Sequence, residues 1–146
     1  MNEIKQIVVG VDGSESSRAA LQWAYNEAAH HGASLTAVAT WHPPTLPLGP
    51  VYGGQMPPEG YESGPELEAR ELLEKLTGDL EPREPAVDVR VSISKGSPAK
   101  VLIDMSQGAD LIVVGSRGRG GFAGMLLGSV SQHVVAHAAC PVVVLR

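Results

Sequence analysis

Apolar residues recur along this chain with two different periods. Ile7, Val8, Val9 and Val11 form one short run, and Leu111, Ile112, Val113 and Val114 form another. Unbroken runs of this length predict strands buried on both faces, as in parallel sheets. Ser34 to Thr40 and Pro141 to Arg146 read as two further strands. Val87, Val89, Val91 and Ile93 alternate with Asp88, Arg90 and Ser92, the pattern of a half-exposed edge strand. Between the strands the spacing changes to three and four. Ala20, Leu21, Ala24, Ala28 and Ala29 predict one helix, and Ala69, Leu72, Leu73, Leu76 and Leu80 a second within Pro65 to Leu80. Val101, Leu102 and Met105 mark a third helix, and Val130, Val134 and Ala138 a fourth from Ser129 onward.

Five strands alternating with four helices predict a three-layer α/β/α sandwich around a parallel sheet. The connections are right-handed βαβ units. Ser14 or Ser16 is placed to cap the first helix and Gly32 to close it. Ser97 and Pro98 occupy the cap and first position of the third. The stretch 42–64 interrupts this order with Pro43, Pro44, Pro47, Pro50, Pro57 and Pro58, which neither a helix nor a central strand tolerates. It is expected to be an irregular loop that serves as a lid or a partner-binding segment.

Composition narrows the function. The 146 residues fit a single domain, 1–146, and the net charge of −5 argues against a general binder of nucleic acid or acidic membranes. No apolar run approaches the roughly 18 residues of a membrane span. The first residues, MNEIKQIVVGVDGS, lack a basic region followed by a long apolar core, so no leader and a cytoplasmic location are expected. The single cysteine, Cys140, fits a reducing compartment and reads as a small buried hydrophobe. His133 and His137 lie four apart on one helix, but without a nearby carboxylate or thiol they read as surface residues.

Chemistry concentrates between Ala109 and Ser131. A buried strand ends at Gly115, Gly118, Gly120, Gly121, Gly124 and Gly128 follow, and a helix begins at Ser129. Glycines let a backbone approach a ligand closely, and the unpaired N–H groups of a helix start attract phosphate. Arg117 and Arg119 add charge to the loop. The segment is neither a Walker A loop, since Gly128 rather than lysine precedes Ser129, nor a G-x-G-x-x-G fingerprint. It spells Gly115-x-x-Gly118, nine residues, then Gly128-Ser129.

That spacing, together with the Val11–Ser14 run VDGS, closely resembles the ATP-binding branch of the universal stress protein family. The resemblance extends from Gln6 to Arg146 and departs only in the proline-rich loop. It implies an adenine nucleotide alpha hydrolase-like fold with strand order 3-2-1-4-5. It implies ATP, with Mg2+, as the ligand. Asp12 would contact the ribose or a phosphate-bound metal, and Ala39 would hold the adenine through its backbone. Val114, Gly115, Arg117 and Gly118 at the loop start, and Gly128, Ser129, Val130 and Ser131 at the helix start, would hold the phosphates, with hydroxyl bonds from Ser129 and Ser131. The family commonly pairs two copies through the last strand, which implies a homodimer. With no lysine clamp or evident water-activating base in the motif, a nucleotide-dependent stress-response sensor acting on an unknown regulatory partner is expected, with at most slow ATP hydrolysis and no catalytic or metal-ligating side chains assigned. The alternatives are a nucleotide-free dimeric interaction module and an ATP-hydrolysing or adenylating enzyme of the same fold.

Overall fold

A computed structural model describes residues 3–43, 63–118 and 127–146. Along the chain run β1 (Gln6–Gly10), α1 (Glu15–His31), β2 (Ser34–Trp41), α2 (Ser63–Gly78), β3 (Val89–Lys95), α3 (Pro98–Met105), β4 (Leu111–Gly115), α4 (Ser129–His137) and β5 (Val142–Leu145). The strands form one parallel sheet in the order β3-β2-β1-β4-β5. This is the α/β architecture and strand order expected from the sequence.

The continuous apolar runs are explained by packing on both faces. Ile7, Val9, Leu111 and Val113 join α1 and α2 in one core, while Val8, Ile112 and Val114 join α3 and α4 in the other. Alternation along each strand sends neighbours to opposite layers, and both layers are apolar. On α1, Ala20, Ala24 and Ala28 are wholly buried, so the helix lies close against the sheet. Ser14 caps it by accepting from the Ser17 N–H at 3.2 Å, and Gly32 ends it in the left-handed conformation at φ 65°. Tyr25, which the alanine pattern does not single out, is also buried there and donates its hydroxyl to the Glu81 carbonyl at 2.9 Å.

Some details at element ends differ from expectation. α2 begins two residues earlier than Pro65, and β3 begins at Val89 although Val87 still packs on the core. Ser97 holds the cap position of α3, yet its hydroxyl makes no capping bond. Pro98 at the first helical position has no N–H to satisfy, which lessens the demand on a cap. Most of the proline-rich stretch, and Arg119, Gly120, Gly121 and Gly124, lie outside the described residues.

Among the described residues, no helix is long and apolar enough to cross a membrane. Cys140 is a half-buried free thiol with Sγ 3.5 Å from the Pro141 carbonyl. Burial pushes its pKa up, a hydrogen bond from the Ile112 backbone opposes this, and the charge of Asp110 adds to the rise. A raised pKa leaves less thiolate at a given pH. Alkylation by iodoacetamide at pH 8 is therefore expected to run several-fold slower in the native protein than in urea-unfolded protein. Equal rates would contradict the burial.

Candidate functional site

The sheet order sets where a ligand fits. From β1 the chain crosses through α1 to β2 on one side, whereas from β4 it crosses through α4 to β5 on the other. The carboxyl ends of β1 and β4 are neighbours that diverge, which opens a crevice between their following loops. A cavity of about 460 Å³ occupies this position. Asp12, Ala39, Val114, Gly115, Arg117, Gly118, Val130 and Ser131 all line it.

One end is built by the glycine motif closing on itself. Ser116 is buried, donates its N–H to the Leu145 carbonyl, and accepts at its own carbonyl from the Gly128 N–H at 2.6 Å and the Ser131 hydroxyl at 3.1 Å. This pins Gly128 beside the loop start, where a Cβ added to it would lie 3.5 Å from both the Arg117 Cα and the Gly118 nitrogen. The two halves of the motif, ten residues apart in the chain, thus share one corner of the crevice. The Arg117 carbonyl is held in turn by the hydroxyls of Ser16, at 2.6 Å, and Ser14, at 3.3 Å. Gly115 is needed for packing as well: a Cβ there would sit 2.5 Å from Ser16 Oγ and 2.7 Å from the Ser16 carbonyl carbon. A more open hollow of about 580 Å³, lined by Ser14, Ser16, Ser116 and Arg146, adjoins the far side of Arg117 and Gly118.

Asp12 faces this corner. One carboxylate oxygen accepts from the Ser14 N–H at 2.8 Å, and the other lies 3.0 Å from where a Cβ on Gly118 would stand. The Asp12 N–H donates to Ser17 Oγ at 3.3 Å. A short aspartate turn therefore aims a carboxylate across the crevice at the glycine loop.

The geometry adds detail at Ser131, Ser129 and Ala39. Ser131 has one hydroxyl hydrogen, and it is shared between the carbonyls of Ser116 and Gly128, at 3.1 and 3.0 Å. Ser131 thereby staples the loop to the helix. Ser129, the first residue of α4, is exposed and does not line the cavity.

Strand register governs Ala39. In β2 the Ser34 N–H donates to Lys5 and the Val38 carbonyl accepts from Val11, so even-numbered residues bond toward β1. The Leu35 N–H donates to Asp88 and the Trp41 carbonyl accepts from Gly96, so odd-numbered residues bond toward β3. Backbone groups alternate in this way along any parallel strand. Ala39 accordingly turns its backbone to Ile93 of β3, with which it is in register, and also lines the cavity. Thr40 turns its N–H and C=O toward the gap left where β1 ends. A backbone contact leaves no side-chain trace, so the sequence could not separate these adjacent positions.

The other end of the cavity went unread in the sequence. Trp41 and His42 border it, Pro65, Glu68, Ala69 and Leu72 of α2 wall one side, and Pro98 and Leu102 of α3 wall the other. The spacing of 65, 68, 69 and 72 is one helical stripe, which is the signal that was available. Lys95 Nζ stands 5.7 Å from the centroid of the Trp41 ring, within cation–π range. No lysine lines the cavity among the described residues. His133 and His137 are exposed with ring centroids 5.8 Å apart, and no group of three metal-ligating side chains occurs among the described residues.

An open parallel sheet, a crevice at its switch point and a glycine corner stapled to a helix start define a class of ligand-binding α/β domains. The chain belongs to the universal stress protein family, whose model matches residues 3–146. A universal stress protein of Mycolicibacterium smegmatis is 39% identical over 142 residues, covering 96% of this chain and 45% of that protein. The chain thus spans about half the length of the curated relatives it matches. Among solved structures, universal stress protein UspA from Lactobacillus plantarum superposes with a TM-score of 0.73 at 25% identity, covering all of both chains. A universal stress protein in complex with cAMP superposes at 0.65 with 26% identity, covering 99% of this chain and 98% of that one.

Proposed function

We propose that this crevice binds an adenine nucleotide, ATP with Mg2+, and that the chain is a single nucleotide-dependent sensor domain of the stress response. The observation that carries the reading is the Ser116 staple, which brings Gly115–Gly118 and the start of α4 to one corner, with the Asp12 carboxylate facing it. Backbone N–H groups at such a corner suit a polyphosphate. Thr40 offers main-chain groups to the base, and the apolar walls suit its faces. Mg2+ commonly binds through one carboxylate together with substrate phosphates and water, and Asp12 can supply that carboxylate. With no lysine in the cavity lining, slow hydrolysis at most is consistent with the donor set. β5 ends the sheet order, so its outer edge is available to pair with a second copy in the proposed homodimer. A cytoplasmic location and a regulatory protein partner complete the proposal.

The test is thermal or urea unfolding of nucleotide-free protein with and without Mg-ATP. Ligand at about 100 times its dissociation constant is expected to add roughly 2.7 kcal/mol of stability. Because a relative of 26% identity is described in complex with cAMP, cAMP and AMP belong in the same series. A larger shift with cAMP would replace ATP as the ligand. No shift with any nucleotide would overturn the reading in favour of an interaction module, and rapid phosphate release would favour an enzyme.

A further inference from the structure

We infer that Ser16 is a positioning residue that holds the peptide between Arg117 and Gly118 in the orientation that accepts an anion. The role rests on the nucleotide reading above. The Arg117 carbonyl accepts from Ser16 Oγ at 2.6 Å and from Ser14 Oγ at 3.3 Å. The Arg117 N–H donates back to Ser16 Oγ at 3.4 Å. One hydroxyl, on the second residue of α1, thus engages both main-chain groups of Arg117. The peptide that follows is trans and planar, so the Gly118 N–H points away from the Arg117 carbonyl. With that carbonyl turned toward α1, the Gly118 N–H turns away from α1. Gly118 lines the cavity, and its nitrogen lies 3.5 Å from where a Cβ on Gly128 would stand. Among the described residues no acceptor takes its N–H.

The loop does not impose this orientation by itself. Gly118 has no Cβ, so its backbone accepts either sign of φ and a flipped peptide meets little steric penalty there. A flip would replace the N–H by the carbonyl, setting the negative end of the peptide dipole where the loop is to meet phosphate. It would also leave the Ser16 hydroxyl without its acceptor. The lock therefore selects the state that offers a donor. Ser14 contributes less to it, because its bond to the carbonyl is longer and its oxygen already caps α1 by accepting from Ser17 at 3.2 Å. Ser16 does not itself line the cavity, so it acts on a ligand only through the loop.

The experiment titrates the parent, Ser16→Ala and Ser16→Thr with Mg-ATP and with adenosine, followed by amide NMR. In the parent the Gly118 amide proton is expected to move downfield with ATP and much less with adenosine. Ser16→Ala is expected to fold, since alanine suits the first turn of a helix. It is expected to weaken ATP about tenfold, the scale of a hydrogen bond to a charged group, and to leave adenosine affinity as in the parent. Ser16→Thr keeps the hydroxyl at a half-buried position and is expected to restore most of the ATP affinity. Equal losses for ATP and adenosine overturn the role, because a merely structural defect would not distinguish them. Unchanged ATP affinity in Ser16→Ala overturns it with nucleotide binding intact, and so does equal weakening in both variants. A Gly118 amide indifferent to ATP overturns it in the parent alone, without any variant. Failure of the parent to bind either ligand overturns the nucleotide reading, and this role with it.

Discussion

Gly115→Ala is expected to destabilise the domain by roughly 3 kcal/mol, lowering the unfolding midpoint by about 10 °C. The added methyl group would stand 2.7 Å from the Ser16 carbonyl carbon and 2.8 Å from the Ser17 nitrogen. Those are backbone atoms in the first turn of α1, so relief requires moving either the helix or the end of β4. Neither is free to move. The following residue, Ser116, ties the strand end to Leu145, Gly128 and Ser131. Gly128→Ala is the matched control, because its Cβ would meet neighbours only at 3.5 Å, an ordinary contact, on an extended backbone at φ −73°. That variant is expected to lose no more than about 1 kcal/mol. Urea unfolding of the two proteins decides the matter. If both lose the same stability, the tight approach of β4 to α1 is not present in solution. The comparison also guards the ligand experiments: weaker binding by a Gly115 variant would reflect the fold as much as the site.

Leu73→Ala carries the second large effect, about 3 kcal/mol. Leu73 is 0% exposed and is one of the two buried residues that fasten α2 to the sheet, Ala69 being the other. Truncation removes apolar contact and leaves a void that the surrounding alanines cannot fill. Leu67, on the same helix but 54% exposed, is the control, and Leu67→Ala is expected to change stability by less than about 0.5 kcal/mol. Equal losses would mean that α2 does not seat through Leu73. Since α2 supplies Pro65, Glu68, Ala69 and Leu72 to the cavity wall, loosening it is expected to weaken ligand binding along with stability.

These contrasts show what the sequence exposes and what it hides. The sheet was legible because a strand packed on both faces must be apolar at every position, as Leu111–Val114 is, and the start of α1 was legible because Ser14 caps it. The glycine corner was legible because its spacing is peculiar. Its internal wiring was not. Ser116 carries no feature that distinguishes it from any loop serine, yet its carbonyl joins both halves of the motif. Ser129 and Ser131 look equivalent in the sequence, and helix geometry buries one and exposes the other. Ala39 and Thr40 differ in which neighbour their backbones face, a property of strand register that no side chain reports. The α2 wall was hidden for another reason: its stripe belongs to the core pattern, and Glu68 resembles the solvated glutamates around it.

The register of β2 has a consequence for how such a site can change over time. The main-chain groups that residue 40 turns toward the crevice survive almost any substitution there, so mutation at that position leaves them in place. A cavity wall built from side chains, as the α2 stripe of Pro65, Glu68, Ala69 and Leu72 is, changes with a single codon. A lineage could therefore keep the frame of the crevice while its walls change, with the innovation confined to a helix far from the motif by which relatives are recognised.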